Sequence, residues 1–286
     1  MSTQVTTAFV QQYSANVQML SQQMGSRLRD AVRVESMTGK NAFFDQVGVA
    51  VAQKRTTRHA DTPQMDTPHA RRRVSLVDYE YADLIDDQDK VRMLIDPTSS
   101  YAQAAAAAMG RAMDDEIITA ALGTAYTGET GSTSTALPSA QQIANGGTDL
   151  TVAKLREAKK ILDLSDVDPS IPRYIAVGPD QVENLLSDTN VTSSDFNTVK
   201  ALVQGEVNQF MGFQFIMTNR LSKSGNIRSC FAWAEDGLAL AIGKDVNARI
   251  DERADKGYAT QVYYCMSVGS TRMEEAKVVQ IDCDES

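Results

Sequence analysis

The segment "PTSSYAQAAAAAMGRAMDDEIITAAL", opening at Pro97, constrains this chain more than any other stretch. Five consecutive alanines carry the highest helix propensity available, Pro97 suits a first turn, the neighbouring Ser and Thr residues can cap, and Arg111 can reach Asp115 at i+4. The pattern predicts a helix over 97–122. At ~1.5 Å per residue, about 25 residues make a rod of roughly 37 Å. Tyr101, Met109, Met113 and Ile117 fall on one side of it, and the alanines let neighbouring backbone come close. Such a rod reads as the spine of a domain.

Upstream, apolar residues alternate from Phe43 through Val47, Val49 and Val51, and the alternation returns at Val74, Leu76, Tyr79 and Tyr81. Two such runs predict a long hairpin. Between them lies "HADTPQMDTPHARRRV", where Pro63 and Pro68 forbid regular pairing. Lys54, Arg55, Arg58, Arg71, Arg72 and Arg73 concentrate positive charge at the expected tip, in a chain of net charge −9. A two-stranded ribbon is marginal in isolation. It must therefore lean on another surface, and its own chain is only one candidate. Residues 1–35 are rich in Gln, Ser and Met, with Phe9, Val10, Val17 and Leu20 sufficient for a short amphipathic helix but not a core. This part reads as an arm.

Downstream of the spine, "GTAYTGETGSTSTALPSAQQIANGGTD" reads as loop. A helix follows from Thr151, with Val152, Leu155, Ala158 and Leu162 facing inward. Then come a short buried strand in "DPSIPRYIAVGP" and a helix opened by Pro179. After a polar loop at 187–204, Phe213, Phe215 and Met217 mark a strand with Gly212 at a bend. Further strands are expected in "CFAWAEDGLALAIG" and in "VNARIDER", with Val246, Ala248 and Ile250 alternating. Last, "GYATQVYYCMSV" and "EEAKVVQI", joined around Gly269, are expected to form an antiparallel hairpin on the spine helix. The fold class is α+β.

Composition narrows function mainly by exclusion. A chain of 286 residues, 42% of them hydrophobic, can bury the core of one large domain or two modest ones. No run approaches the roughly 20 apolar residues that cross a bilayer, and the first 20 residues lack a charged leader with an apolar core. The expectation is a protein neither membrane-bound nor secreted by that route. Cys230, Cys265 and Cys283 are odd in number and without CxxC spacing, which suits free thiols in a reducing compartment. A pI near 4.8 argues against the whole chain gripping nucleic acid; nucleic acid nearby is expected to be contained rather than bound.

Motifs for chemistry are missing. His59 and His69 sit in the expected tip without a partner set for a metal. GxSxG, GxGxxG and GxxxxGK[ST] do not occur, and "GETGSTST" lacks a phosphate-binding lysine. Asp114, Asp115 and Glu116 are consecutive on a helix and so point in different directions, which fits a solvated or ion-paired face better than an acid/base pair. Asn190 opens a glycosylation sequon that means little without a secretory signal. The residues therefore predict no catalytic, cofactor-binding or metal-binding set.

The order of elements carries the remaining information: an arm, a hairpin with a charged tip, the spine "DPTSSYAQAAAAAMGRAMDDEIITAALG", and the layer "LTVAKLREAKKILD" to "RYIAVGPDQVENLL". Then come "GEVNQFMGFQFIMTNRL" and "VGSTRMEEAKVVQID". Together these resemble the major capsid proteins of tailed bacteriophages with the Hong Kong 97-type fold. The resemblance runs from about residue 30 to 282, carried by the sum of the segments rather than by one motif. It implies an amino-terminal arm at 1–40, an extended loop at 41–85, a peripheral domain at 86–149 and 243–286, and an axial domain at 150–242. It further implies hexamers and pentamers in an icosahedral shell around double-stranded DNA, formed in the bacterial host cytoplasm. Portal and decoration proteins are among the implied partners, and the room for only a short arm before the hairpin points to a separately encoded scaffold or none. The extended loop would then cross a neighbouring subunit, its basic residues meeting an acidic body; a merely solvated tip and a tip touching packaged DNA stand as the alternatives. Lysine–asparagine crosslinking, known in some such proteins, is not carried over, since no asparagine partner for Lys54 is identifiable. A tail-tube or cement protein, and a hydrolase using Asp114 or Asp115, are the competing functions.

Overall fold

The computed structural model describes residues 21–58, 61–62, 64–86, 98–187 and 209–286. The expected amino-terminal helix, His59, Pro63 and the 188–204 part of the polar loop lie outside them. In chain order the elements are β1 (Arg33–Ser36), β2 (Asn41–Val47), β3 (His69–Ser75), β4 (Val77–Ile85), α1 (Thr98–Leu122), β5 (Ala125–Thr127), β6 (Thr133–Thr135) and β7 (Gln142–Ile143). They continue as α2 (Val152–Leu164), β8 (Arg173–Val177), α3 (Pro179–Ser187), β9 (Gln209–Phe210), β10 (Phe213–Met217), β11 (Lys223–Ser224), β12 (Ile227–Ala234), β13 (Leu238–Arg253), β14 (Ala259–Arg272) and β15 (Val278–Asp284). The chain divides into two compact units, one of residues 1–26, 78–112 and 244–266, the other of residues 27–77, 113–243 and 267–286. The division falls inside α1, β13 and β14, which run on without interruption.

The larger unit is built on a sheet in the order β7-β15-β12-β8-β10-β9, with β11 beside β12. Strand β8 pairs parallel with β10 and antiparallel with β12. A parallel pair needs a crossover, and α3 supplies part of it. Helix α2 starts where Thr151 accepts a hydrogen bond from the Lys154 backbone N–H at 3.4 Å. It buries Leu155, Ala158 and Leu162, as its apolar spacing predicts, and packs against β15 and β7. Lys154 is buried too, its Nζ donating to the carbonyls of Asn145, Thr148 and Asp282 at 2.8, 2.7 and 2.8 Å. Three acceptors replace the water that burial removes. At the centre Trp233 is wholly enclosed, 4.8 Å from Phe231 and 5.8 Å from Tyr174 between ring centroids, and its Nε1 donates to Ala31 O at 2.8 Å. Full burial of such a side chain is worth about 1.5–3 kcal/mol.

Helix α1 spans Thr98–Leu122, and Pro97, its predicted first residue, lies outside the described residues. Met109, Met113 and Ile117 are buried, whereas Tyr101 is half-buried. Arg111 does not bridge to Asp115. It donates instead to Gln22 Oε1 at 2.9 Å and Gln23 O at 3.1 Å in the arm, while Asp115 pairs with Arg220. The arm lies so close that a Cβ on Gly110 would come within 2.4 Å of the Gly25 backbone. At the far end of α1, Arg272 Nη1 donates to Ala121 O at 3.0 Å and Gly123 O at 2.8 Å, supplying a cation where the helix leaves its last carbonyls open.

Two strand expectations are corrected. Strands β14 and β15 do not form a hairpin: β15 enters the large sheet between β7 and β12, and β14 belongs to a four-stranded sheet ordered β1-β13-β14-β4. Gly269 is not their link but lies within β14, where a Cβ would meet Ser75 O at 2.2 Å. The loop-like 123–149 segment also contains three short strands, β5 and β6 in a sheet ordered β2-β3-β5-β6, and β7 on the edge of the large one. At two or three residues each, set among Gly- and Ser-rich turns, they are too short to show an alternation, and ladders to β3 and β15 fix β5 and β7 as strands.

Candidate intersubunit surface

Strands β2 and β3 pair antiparallel from Asn41↔Ser75 to Val47↔His69. The ladder stops there because the Gly48 N–H is taken by Pro68 O at 2.8 Å, and Pro68 has no N–H with which to continue. Val49 and Val51, expected in the strand, stand beyond it. They are 88% and 68% exposed, and Val47 at the strand end is 68% exposed. Residues 48–58 have no strand or helix, and all are exposed. Tyr79 and Tyr81 belong not to this hairpin but to β4, which starts two residues after β3 and joins the sheet containing β14.

This geometry separates the six basic residues into two groups. Lys54, Arg55 and Arg58 are in the exposed loop, where Arg55 Nε donates to Thr57 O at 3.0 Å. Arg71, Arg72 and Arg73 are not at the tip; they occupy the middle of β3. Successive strand residues alternate faces, so Arg72 and Val74 point inward while Arg71 and Arg73 point to the other face. The Arg71 guanidinium pairs with Asp45 at 2.6 Å and lies 5.4 Å from the Phe43 ring centroid. That pairing holds the Asp45 carboxyl below its ordinary pKa and raises Arg71. Arg73 lies 4.7 Å above the Tyr126 ring, contributed by β5 opposite it.

Arg72 anchors the stem. Its side chain is 9% exposed; Nε donates to Met273 O at 2.9 Å and Nη2 to Glu275. Gln46 on β2 donates to the same Met273 O at 2.7 Å. Glu275 also faces Arg272 Nε at 3.6 Å, so one carboxylate stands between two guanidiniums. Burial lowers the Arg272 pKa, and the Glu275 charge opposes that shift. A buried guanidinium is tolerable only with such compensation. On the inward face Val74 joins Met37 and Ala241, with Ala42, Phe44 and Leu76 packed around them. The stem is thus fastened to its own unit, while residues 48–58 beyond it are exposed. Sequence reasoning misses Met273, Glu275 and Tyr126 as stem partners, although the "GSTRMEE" turn that holds two of them is legible as a feature.

The rest of the candidate chemistry resolves into structure. Asp114 is wholly buried and accepts backbone N–H groups of Arg27 and Leu28, and Asp115 is engaged by Arg220. His69 opens β3. Cys230, Cys265 and Cys283 are buried free thiols. Among the described residues no three His, Cys, Asp or Glu side chains are grouped to hold a metal, and no helix is long and apolar enough to cross a membrane.

The family model for phage capsid protein matches residues 5–285. Among solved structures, the capsid of cyanophage P-SCSP1u is 19% identical over 100% of this chain and 96% of its own, with a TM-score of 0.77. The capsid of Ralstonia phage GP4 is 11% identical over 98% and 96%, with a TM-score of 0.73. The cyanophage Pam1 capsid asymmetric unit is 14% identical over 98% and 97%, with a TM-score of 0.72. Curated proteins give no match. A match across nearly every residue, on a mixed helix-and-sheet fold with a long spine helix and a braced hairpin, makes this chain a member of the phage capsid protein family, with the Hong Kong 97-type fold.

Proposed function

We propose that the chain is the major capsid protein of a tailed bacteriophage head, assembling as hexamers and pentamers into a closed icosahedral shell around double-stranded DNA. The observation that carries the reading is the contrast between stem and loop. Arg72, Gln46 and Val74 fasten the stem to its own unit, while the loop beyond Val47 presents Val47, Val49 and Val51 with Lys54, Arg55 and Arg58. Apolar side chains held in water on a braced projection mark a contact surface. In a shell that contact is a neighbouring subunit, where basic loop residues meet an acidic body and electrostatic complementarity sets register. Arg71, Arg72 and Arg73 serve that contact indirectly, by holding the stem.

Residues 1–40 then act as arm, 41–85 as extended loop, 86–149 with 243–286 as peripheral domain, and 150–242 as axial domain. Each intersubunit contact can be modest, because closed symmetry repeats it. The role is structural rather than enzymatic: Asp114 and Asp115, the carboxylates a hydrolase reading would use, are committed to backbone N–H groups and to Arg220. The acidic charge balance suits a wall that encloses DNA without trapping it. On this reading the protein acts in the virion after assembly in the host cytoplasm, with portal and decoration proteins as partners and a scaffold that is separately encoded or absent.

Negative-stain electron microscopy of the protein expressed alone and with its neighbouring genes tests this reading. Closed icosahedral particles are expected. Rings or tubes would indicate a tail component, and small monodisperse oligomers under every condition would overturn self-assembly as the function.

A further inference from the structure

In the four-stranded sheet, Lys244 on β13 and Cys265 on β14 stand side by side, with Lys244 Nζ 3.0 Å from Cys265 Sγ. The thiol is 9% exposed, whereas Lys244 is exposed, so the pair sits where solvent reaches one partner and the sheet holds the other. Two positions earlier on β14, and so on the same face, the Tyr263 hydroxyl donates to Glu80 Oε1 at 3.0 Å. These contacts line up an amine, a thiol, a phenol and a carboxylate across three adjacent strands. Cys265 is the only cysteine in this sheet; Cys230 and Cys283 belong to β12 and β15 of the large one. A thiol here that becomes oxidised has no second thiol in its sheet to condense with, and the nucleophile beside it is a lysine nitrogen.

We propose that Lys244 is the resolving amine of Cys265, and that oxidation by a hydroperoxide links the two strands through a sulfur–nitrogen bond. In the first step the peroxide transfers one oxygen to Cys265 Sγ, giving the sulfenic acid, and is itself reduced to water or alcohol. Sulfur in that state is electrophilic and condenses with a nearby nitrogen or thiol. In the second step Lys244 Nζ, having released its ammonium proton to solvent, attacks Sγ. The N–S bond forms, the S–O bond breaks, and the departing hydroxide leaves as water with one amine proton. The product is a sulfenamide, lighter than the starting pair by two hydrogens, and two equivalents of an added thiol return it to lysine and cysteine with formation of a disulfide. A link of this kind staples β13 to β14 where the exposed half of β13 begins, and it protects the cysteine from the irreversible sulfinic and sulfonic acids.

The test is peptide mass spectrometry of the full chain after treatment with hydrogen peroxide, compared among the unmutated protein, K244M, K244R and C265S. Expected is a linked peptide containing Lys244 and Cys265, short of two hydrogens, reversed by dithiothreitol and absent from all three variants. K244R keeps a cation at the site, so its loss of the link separates amine chemistry from charge, and the variants' circular dichroism reports whether each folds. In K244M, Cys265 is expected to proceed to the sulfinic acid. An unmodified thiol, a sulfinic acid formed equally with and without Lys244, or a linked peptide that retains the oxygen would each overturn the proposal.

Discussion

The buried carboxylate of Asp114, on α1, accepts the Leu28 backbone N–H at 3.1 Å, 86 residues away in sequence. Both its oxygens also accept the Arg27 N–H at 3.1 Å. This one side chain seats the segment that continues to Ala31, whose carbonyl holds Trp233. An amide cannot replace it, since one of its two heads would present N–H to N–H. Charged hydrogen bonds contribute about 1.5–3 kcal/mol each, and buried groups left unpaired cost a similar amount. Asp114→Asn is therefore expected to destabilise by about 2–4 kcal/mol, measured by urea unfolding followed through Trp233, the sole tryptophan.

Glu275 and Arg72 are predicted to be unequal partners. Removing Glu275 leaves two enclosed guanidiniums, Arg72 and Arg272, facing each other without a counter-charge. Glu275→Gln should cost about 3–5 kcal/mol, the range for stranding a buried charge. Arg72→Met leaves Glu275 with Arg272 and keeps the apolar stem, and about 1–2 kcal/mol is expected, near the value of one or two hydrogen bonds. Thermal unfolding of both variants, side by side, checks the order; equal losses would contradict the shared-carboxylate geometry.

Acid stability is expected to depend on Glu285. Hydrogen bonds from Arg228, and further ones from Lys223 and Gln181, bring its pKa from 4.5 down to about 2. A depressed pKa means the charged form is favoured by folding, so this stabilisation is complete above the unfolded value and disappears as pH falls from about 4.5 through about 2. Unfolding free energy plotted against pH should rise across that window, from about 2 to about 4.5, and Glu285→Gln should flatten the slope while lowering stability at neutral pH. An unchanged slope in the variant would remove Glu285 from the account.

Gly269 tolerates no side chain. A Cβ there would lie 2.2 Å from Ser75 O and 3.3 Å from a Val74 methyl, and the backbone oxygen cannot rotate aside as a side chain would. Gly269→Ala is expected to destabilise by about 1–3 kcal/mol, the usual cost of overpacking. Differential scanning calorimetry would register it as a lowered Tm.

Charge reversal distinguishes the two basic groups. The triple variant K54E/R55E/R58E should keep the unfolding midpoint of the parent, since these residues sit in an exposed loop, yet fail to form closed particles or form them only with altered salt dependence. Reversal of Arg71, Arg72 and Arg73 should instead lower the midpoint by breaking the Asp45, Glu275 and Tyr126 contacts. Sedimentation velocity and electron microscopy of the two variants read assembly, and chemical denaturation reads folding.

Much of the local structure is legible in the residues. The spine helix is expected at 97–122 and found at Thr98–Leu122, because alanine propensity is a property of the chain itself. Thr151 marks the start of α2, the proline-bounded "RYIAV" becomes β8, and Gly212 turns the chain between β9 and β10 with φ of +87°. The errors share a different cause. Val49 and Val51 carry the alternation of a strand, yet the strand ends at Val47 because Pro68 occupies the next pairing position. Arg71, Arg72 and Arg73 have the polarity of a loop tip, yet β3 accepts them because Asp45, Glu275 and the Tyr126 ring are brought beside them.

By itself the sequence determined the spine helix, α2, α3 and strands such as β8 and β10, and showed basic residues clustered around one hairpin in an acidic chain with no motif for catalysis or metal binding. Those properties depend on residues within a few positions of one another. The tertiary structure alone decided that β14 and β15 join different sheets, that Arg72 is buried against Met273 and Glu275, and that Asp114 seats Leu28. These partners are separated by 201, 203 and 86 residues in the last three pairings. Contacts between distant segments carry no local periodicity, and they exist only once packing has closed the intervening chain.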